Sequence, residues 1–174
     1  GIVKRLCECE MSIASQCLLV KNCKPFLKPM TAFNVLLKVN VKLTGSNWQI
    51  APEPSVKPIL DQLSQQKAIV IGMDVNHPGG RDQRVPSLAA MVGSLDGSMA
   101  RYGASVKINR SGIETIHYIQ EALMERIEHF YMNTKQHPKS VIIYRDGVAQ
   151  SMFQEIMREE YRGIRDALDK GGMK

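Results

Sequence analysis

The sequence predicts a mixed α/β fold in which three strands are followed by a helix, a fourth strand and a second helix. Three observations favour this order. Short runs rich in Ile and Val are bounded by turn residues, two longer segments repeat apolar residues at spacings of three or four, and one of these helical patterns separates the fourth strand from the first three. At 174 residues the chain is long enough for one domain with a core, or for parts of two.

The first three strands are expected to form a meander. A loop with two prolines separates the first strand from the second, and a short link containing Asp-Gly-Ser joins the second to the third, which suits antiparallel neighbours. The three strand candidates are AIVIGMDV (68–75), SLAAMVGSL (87–95) and YGASVKI (102–108).

Two helices and a fourth strand complete the predicted sheet domain. A helix is predicted over 113–135 from the apolar stripe of Ile116, Ile119, Leu123, Ile127 and Phe130. The strand VIIYRD (141–146) follows, and the last helix carries a stripe of Phe153, Ile156, Met157, Ile164 and Leu168. A strand reached through a helical crossover joins the sheet by a right-handed connection as the default.

The chain divides into three blocks on composition. Residues 1–45 hold SIASQCLLV (12–20) and a lysine-bearing apolar stretch, AFNVLLKVNVKL (32–43). Residues 46–64 hold three prolines and are predicted to be a connector. Residues 65–174 hold the strands and helices of the sheet.

The local pattern of 32–43 favours a strand, because polar and apolar residues alternate near its end. Lys38 and Lys42 share a face in either structure, as an i, i+4 pair in a helix or through alternation in a strand. Two ammonium groups on one face suit a terminal phosphate. The alternative is an ordinary solvated face.

Composition is that of a soluble globular protein with excess positive charge. The chain is 44% hydrophobic and 23% charged. Its 23 Lys and Arg residues against 17 Asp and Glu residues give a net charge of +6 and a pI near 9.2, which weakly favours an anionic partner such as nucleic acid. No run of 18 apolar residues occurs, so we expect no transmembrane helix and no membrane partner.

The cysteines predict the redox environment. Cys7, Cys9, Cys17 and Cys23 form no CxxC pair and have no histidines at ligand spacing. The N-terminal segment lacks the apolar core of a signal peptide. We therefore expect reduced thiols rather than zinc ligands, in a cytoplasmic or nuclear protein.

Two aspartates are the strongest candidates for a functional site. Asp74 and Asp146 each close an apolar run and are followed at once by turn formers. Two buried strands then deliver one carboxylate each to the same edge of a sheet, an arrangement that holds Mg²⁺ against a phosphodiester. The alternative is that each Asp only forms a turn. Within the predicted strand order, the two positions match the ribonuclease H-like fold, whose chemistry needs at least a third acidic ligand.

Four motifs strongly resemble the PIWI domain of Argonaute proteins: GMDVNHP (72–78), PSLAAMVGSLD (86–96), RYGASV (101–106) and VIIYRDGV (141–148). They extend in the expected order over most of 65–170. Two further blocks, SQCLLVKN (15–22) and NVLLKVNVKLTG (34–45), resemble the end of the Argonaute MID domain. The resemblance implies a helix over 32–43, and a ribonuclease H-like sheet preceded by part of an α/β MID domain.

The resemblance implies a site of Asp74, Glu114 and Asp146, with a fourth ligand beyond the end of this chain. Asp74 and Asp146 would hold Mg²⁺ or Mn²⁺, and Glu114 would be a mobile third ligand. Glu114 has a second interpretation from the sequence, because Ser111 and Glu114 form an S-x-x-E capping box at the start of the 113–135 helix. His77 is expected to hold its loop, and Arg145 either orients the loop or approaches nucleic acid.

By the same resemblance, Gln16, Lys38 and Lys42 would contact the 5′ phosphate of a guide strand. The partners would be a small guide RNA, a complementary target RNA and silencing proteins. Two functions stay open: Mg²⁺-dependent cleavage of the target by the full-length protein, and silencing without cleavage through guide-directed binding. An unrelated ribonuclease H-like nuclease is the more distant alternative. The isolated 174-residue chain is expected to be inactive.

Overall fold

The computed structural model of the chain describes residues 2–23, 28–65, 67–79 and 84–172. The chain forms two compact units, Gly1–Gln49 and Ile50–Lys174. None of the helices described is both long and apolar enough to span a membrane. The assignment of residues 1–45 to a MID domain, with a connector at 46–64 and a PIWI part at 65–174, stays a prediction.

The first unit is helical in its described residues. Helix α1 (Ile2–Lys4) continues into a π-helical turn at Arg5–Glu10, and α2 (Val20–Cys23) and α3 (Pro29–Lys42) follow. The helix that the resemblance implied over 32–43 is confirmed, and the strand favoured by local alternation is wrong. Pro29 fixes a helical φ in the first turn, where its missing N–H costs nothing.

The loop after α3 is held by amide side chains. Asn40 donates from Nδ2 to Asn47 Oδ1 at 2.8 Å, and Asn47 donates from its own Nδ2 to the Leu37 carbonyl at 2.8 Å. At Gly45 a Cβ atom would lie 2.1 Å from Asn40 Oδ1, so a side chain there would require the Asn40 amide to move. The loop therefore folds back against the helix that carries Lys38 and Lys42.

The predicted connector contains a helix that its proline-rich composition did not predict. Helix α4 spans Lys57–Gln65 and has Pro58 in its first turn, where proline is tolerated. Leu60 and Leu63, three residues apart, are its half-buried apolar positions. Helix α4 thus occupies the second half of the segment predicted to be a connector, and the connector role stays a prediction.

The second unit contains a four-stranded sheet. Its strands are β1 (Ala68–Asn76), β2 (Ser87–Ser94), β3 (Tyr102–Asn109) and β4 (Ser140–Arg145), in the spatial order β3-β2-β1-β4. β2 is antiparallel to both β1 and β3, whereas β4 is parallel to β1. The predicted meander and helical crossover are confirmed.

Two helices cover one face of the sheet. Helix α5 (Ile119–Thr134) and helix α6 (Phe153–Lys170, preceded by a 3₁₀ turn at Gln150–Met152) pack against each other. Alternate residues of β1 enter the core, which is centred on the buried side chains of Ile69, Ile71, Met73, Leu123, Ile127 and Phe130. In α6, Ile164 and Leu168 pack on this core, whereas Phe153 and Met157 of the predicted stripe are exposed.

The helix predicted from residue 113 begins at Ile119. The Ser111–Glu114 capping box therefore does not form, and the helix starts after Tyr118 without a side-chain cap. The physical reason is local: Gly112 has a left-handed φ of +72°, and Asn109 donates from Nδ2 to the Ile113 carbonyl at 2.8 Å. The segment 110–118 is consequently an ordered loop across the end of the sheet.

Candidate functional site

The parallel pairing of β1 and β4 brings Asp74 and Asp146 side by side. The register pairs Met73 with Arg145, and the Asp146 N–H donates to the Met73 carbonyl at 2.9 Å. Asp74 therefore lies next to Asp146 across the two strands, as predicted, although β1 continues two residues beyond Asp74 to Asn76. Both aspartates are exposed. The Asp74 carboxylate makes no hydrogen bond or ion pair with any residue that the structure describes.

Glu114 lies on the ordered loop before α5. Its Oε1 contacts His77 Nε2 at 2.7 Å. Its Oε2 is buried and has no hydrogen-bond partner, and the nearest cationic atom is Arg145 Nη2 at 4.0 Å. One carboxylate oxygen is thus held in place, and the other is free to accept a hydrogen bond or to bind a cation.

His77 belongs to a hydrogen-bond chain that ends on Glu114. The Gly112 N–H donates to Ser87 Oγ at 3.1 Å, and Ser87 Oγ lies 2.7 Å from His77 Nδ1. An ionised Glu114 accepts only, so a neutral His77 carries its proton on Nε2 and accepts the Ser87 hydroxyl at Nδ1. The sequence predicted that His77 holds its loop; the structure shows that it also holds Glu114, through a contact 37 residues away in sequence.

Gly147 lies between these carboxylates. Its φ is +75°, and a Cβ atom there would lie 3.2 Å from Asp74 Oδ1 and 3.5 Å from Glu114 Oε2. Its N–H donates to Asp146 Oδ1 at 2.8 Å. The Gly147 backbone therefore lies close to Asp74 and Glu114 and binds the Asp146 carboxylate.

A buried ion pair positions the two segments that carry Glu114 and Asp146. Arg145 donates from Nη2 to the Glu114 carbonyl and from Nη1 to the Asp146 carbonyl. Its Nε lies 3.1 Å from Glu160 Oε2, and the Glu160 side chain is only 2% exposed. Glu160 also accepts the Ile116 N–H at 2.9 Å. Of the two roles left open for Arg145, the structure shows the orienting one.

Glu160 was missed by the sequence analysis, although a signal exists. It lies on α6 between Ile156 and Ile164 at i, i+4 spacing, inside the apolar stripe. A carboxylate on the apolar face of a helix is almost never buried unless it is paired. Such a residue therefore predicts a buried cationic partner on the element that the stripe faces.

Whether a divalent metal fits here depends on the donors and their arrangement. Carboxylate oxygens are suitable ligands for Mg²⁺ and Mn²⁺, and Asp74 and the unpaired Glu114 Oε2 have free acceptor capacity. In the described part of the chain, however, no three His, Cys, Asp or Glu side chains are gathered closely enough to hold an ion. Asp74 and Asp146 offer suitable donor oxygens on adjacent strands, and Glu114 is nearby but bound to His77.

The first unit brings its three candidate phosphate contacts together. Gln16, Lys38 and Lys42 all line one cleft of about 710 Å³, together with Lys4 and Trp48. No motif or spacing in the sequence marks Lys4. Trp48 is 69% exposed at this cleft.

The polar groups of the cleft differ in their contacts. The Lys38 ammonium has no partner among the residues described. Lys42 donates to Glu8 Oε1 at 2.9 Å and to the Ser15 carbonyl. The hydrogen bond from Lys42, with a second from the Ser15 hydroxyl, lowers the pKa of Glu8 below its usual value. Gln16 donates from Nε2 to the Cys17 carbonyl at 2.9 Å.

Comparison with known proteins gives a consistent family. A family model described as Piwi domain matches residues 1–174. The putative protein tag-76 of Caenorhabditis elegans is 40% identical over 168 residues, which are 95% of this chain and 16% of that protein. Kluyveromyces polysporus Argonaute, solved with a guide RNA, has a TM-score of 0.86 at 25% identity over 98% of this chain.

A second structure, the C-terminal lobe of a budding yeast Argonaute, gives a TM-score of 0.85 at 25% identity, covering 98% of this chain and 33% of that one. The mixed sheet matches these neighbours, which confirms the ribonuclease H-like fold predicted from strand order. The chain spans only 16% of tag-76 and 20% of the Kluyveromyces chain.

Proposed function

This chain belongs to the Piwi domain family of Argonaute and Piwi proteins, and on that basis we propose that the full-length protein binds a small guide RNA and uses it to recognise complementary RNA in gene silencing. Base pairing between guide and target supplies the sequence specificity. The protein contributes a cleft for the guide's 5′ phosphate and a sheet edge that faces the paired strands.

The convergence of Gln16, Lys38 and Lys42 on one cleft is the observation that carries this proposal. The residues come from two segments, and two of them are cations, as is Lys4 in the same cleft. A terminal phosphate carries more negative charge than an internal one, and ammonium groups with an amide donor complement it. Lys42 is paired with Glu8 in the structure, so an incoming phosphate takes the place of that carboxylate.

The test is guide binding by the full-length protein. We expect a 5′-phosphorylated guide RNA to bind more tightly than the same RNA with a 5′ hydroxyl. Lys38→Ala should weaken binding of the phosphorylated guide about ten-fold and leave the hydroxyl guide unchanged. Lys28→Ala is the matched control, because Lys28 is an exposed lysine that precedes the other end of α3. Equal affinity for the two guides would rule the proposal out.

A second candidate function is Mg²⁺-dependent cleavage of the target RNA. The adjacency of Asp74 and Asp146 favours it, together with the free acceptor oxygen of Glu114 beside Gly147. Divalent ions bound by such carboxylates activate a water and stabilise the leaving oxygen. Asp74 and Asp146 would hold the ions, and Glu114 would join them on leaving His77.

Cleavage is tested with the full-length protein, a matched target and Mg²⁺. We expect Asp146→Asn to abolish cleavage while guide and target binding persist. Asp166→Asn is the control, because Asp166 is an exposed aspartate of α6 far along the chain from either carboxylate segment. A parent protein that binds target without cutting it would instead be the non-cleaving member of the family, and the guide-binding proposal would stand.

A further inference from the structure

A polar cavity of about 370 Å³ lies at the end of β3, apart from the carboxylates. Its polar lining comes from Arg84, Asn109, Arg110, Ser111, His117 and Tyr118. Two guanidinium groups, an imidazole and two hydroxyls therefore surround it, and no carboxylate is among the described residues that line it. This combination of fork-shaped cations and hydroxyl donors suits a phosphate group.

The cavity opens at the same edge of the sheet as the carboxylates. β1 and β4 are parallel, and β3 runs in the same direction because both β1 and β3 are antiparallel to β2. The carboxyl ends of β1, β3 and β4 consequently share one edge. With neighbouring strands about 4.8 Å apart, the end of β3 is about 10 Å from that of β1.

The hydrogen bonds within the cavity determine which polar groups are left to bind a ligand. Asn109 is buried and donates from Nδ2 to the carbonyls of Ile113 and Thr115, so its Oδ1 faces His117 as an acceptor. His117 Nδ1, 3.0 Å from that oxygen, therefore carries a proton, and its Nε2 is left for a ligand. The Arg110 guanidinium is exposed and has no partner among the residues described.

The loop that forms the cavity also carries a carboxylate of the candidate site. Arg110 and Ser111 precede Glu114 on the ordered loop, and His117 follows it. The Gly112 N–H links this loop to Ser87 and so to His77. A ligand in the cavity thus contacts the segment that holds Glu114.

We propose that this cavity binds one backbone phosphate of the RNA strand that crosses the carboxylate edge of the sheet. The proposal rests on the proposed function, since it requires that the protein binds RNA. An extended strand is the ligand that the position favours, because the cavity lies on the same edge as the two aspartates, about two strand spacings from Asp74 and about three from Asp146. Arg110 supplies the main charge, and Ser111 and Tyr118 supply hydroxyl donors.

The experiment measures target binding by the full-length protein loaded with a 5′-phosphorylated guide. Arg110→Gln is compared with Lys139→Gln, which removes an equal charge from an exposed lysine just before β4, at the opposite edge of the sheet. We expect Arg110→Gln to weaken target binding about ten-fold. The slope of log Kd against log salt concentration should fall by about one, the value for one lost phosphate contact.

Neutral methylphosphonate linkages placed one at a time along the target locate the contact. We expect a methylphosphonate at one position of the target to weaken binding to the parent protein but not to the Arg110→Gln variant. The Lys139→Gln variant should lose affinity at that position as the parent does. Inorganic phosphate and a mononucleotide are added as competitors; if either displaces the target from the cavity at low concentration, the ligand is a free phosphate and the proposal is wrong.

The proposal also fails if the two variants have the same salt slope, or if every methylphosphonate acts equally on both. These readouts are separate from the 5′-phosphate preference that tests the proposed function. A protein with no such preference that still shows the Arg110 effect would retain the cavity as an RNA contact and lose the guide-binding proposal.

Discussion

The two units of this chain hold their charged groups by different means. In the second unit, buried groups hold the segments that carry Asp74, Glu114 and Asp146. These segments pack on the hydrophobic core or are bound to Glu160, which is 2% exposed. In the first unit, no side chain of residues 2–23 and 28–49 is buried. The cleft lined by Gln16, Lys38 and Lys42 is held by exposed polar contacts such as Lys42–Glu8 and Asn40–Asn47.

The two sites therefore differ in how rigidly each is held. Contacts between exposed ions contribute about 0–1 kcal/mol each and are weakened by salt. Loss of a partner from a buried core or a buried ion pair costs more free energy, because it leaves a cavity or an unpaired charge. The sheet edge is therefore preorganised, whereas the cleft is held only by weaker, exposed contacts.

The largest effect is expected from Glu160→Ala. This change leaves Arg145, whose side chain is 11% exposed, without its counterion, and leaves the Ile116 N–H unpaired. Removing one member of a buried pair costs about 3–5 kcal/mol. Urea unfolding followed by circular dichroism measures the loss in free energy of unfolding. Glu159→Ala, one residue earlier and exposed, should change it by less than about 0.5 kcal/mol; equal losses would show that Arg145 is held by something else.

A pair of leucine substitutions tests the contrast between the units directly. Leu123 in α5 is 0% exposed, and Leu36 in α3 is 65% exposed. We expect Leu123→Ala to lower the free energy of unfolding by about 3 kcal/mol through the cavity that it leaves, and Leu36→Ala to change it by less than about 0.5 kcal/mol. Similar losses from the two changes would mean that α3 is buried in solution.

Gly147→Ala should have a smaller effect, because it strains the backbone at the carboxylate site without removing a contact. The left-handed φ of +75° costs a residue with a Cβ about 1–2 kcal/mol. The new methyl group would also lie 3.2 Å from Asp74 Oδ1. Thermal unfolding measures the loss against Gly97→Ala, where nothing lies within 4 Å of the added Cβ. A Gly147→Ala protein as stable as the control would contradict this backbone geometry.

The sequence predicted the sheet because its signals are local. Alternation in β1 and the apolar stripe of α5 follow from burial on one side of an element, and the adjacency of Asp74 and Asp146 follows from a parallel crossover. These features needed no knowledge of side-chain contacts.

The incorrect predictions concern segments whose structure is set by distant or specific contacts. The capping box at Ser111 fails because Asn109 and Ser87 hold the loop by hydrogen bonds to its backbone. The pairing of His77 with Glu114 spans 37 residues and leaves no periodic signal. The helix at 29–42, which the resemblance implied correctly, also has a local signal, since Pro29 is a helix-start residue that the strand interpretation ignored.

The smallest effect is expected at Glu8, where the cleft depends on an exposed ion pair. Hydrogen bonds from Lys42 and Ser15 lower the pKa of Glu8, so the ionised carboxylate stabilises the first unit above the usual carboxyl pKa. This contribution is lost as the pH falls through the lowered value. The stability difference between the parent and Glu8→Gln, measured by thermal unfolding, should therefore shrink as the pH is lowered from 7 toward about 3.

The same substitution separates stability from binding in the cleft. Glu8→Gln frees the Lys42 ammonium, so the full-length variant should bind a 5′-phosphorylated guide about two- to five-fold more tightly than the parent, with no gain for a 5′-hydroxyl guide. Glu10→Gln is the matched control, because Glu10 pairs with Arg5 rather than with a residue of the cleft. If Glu8→Gln weakened phosphate recognition, Glu8 would be positioning Lys42 for the ligand, and the cleft would be as preorganised as the sheet edge.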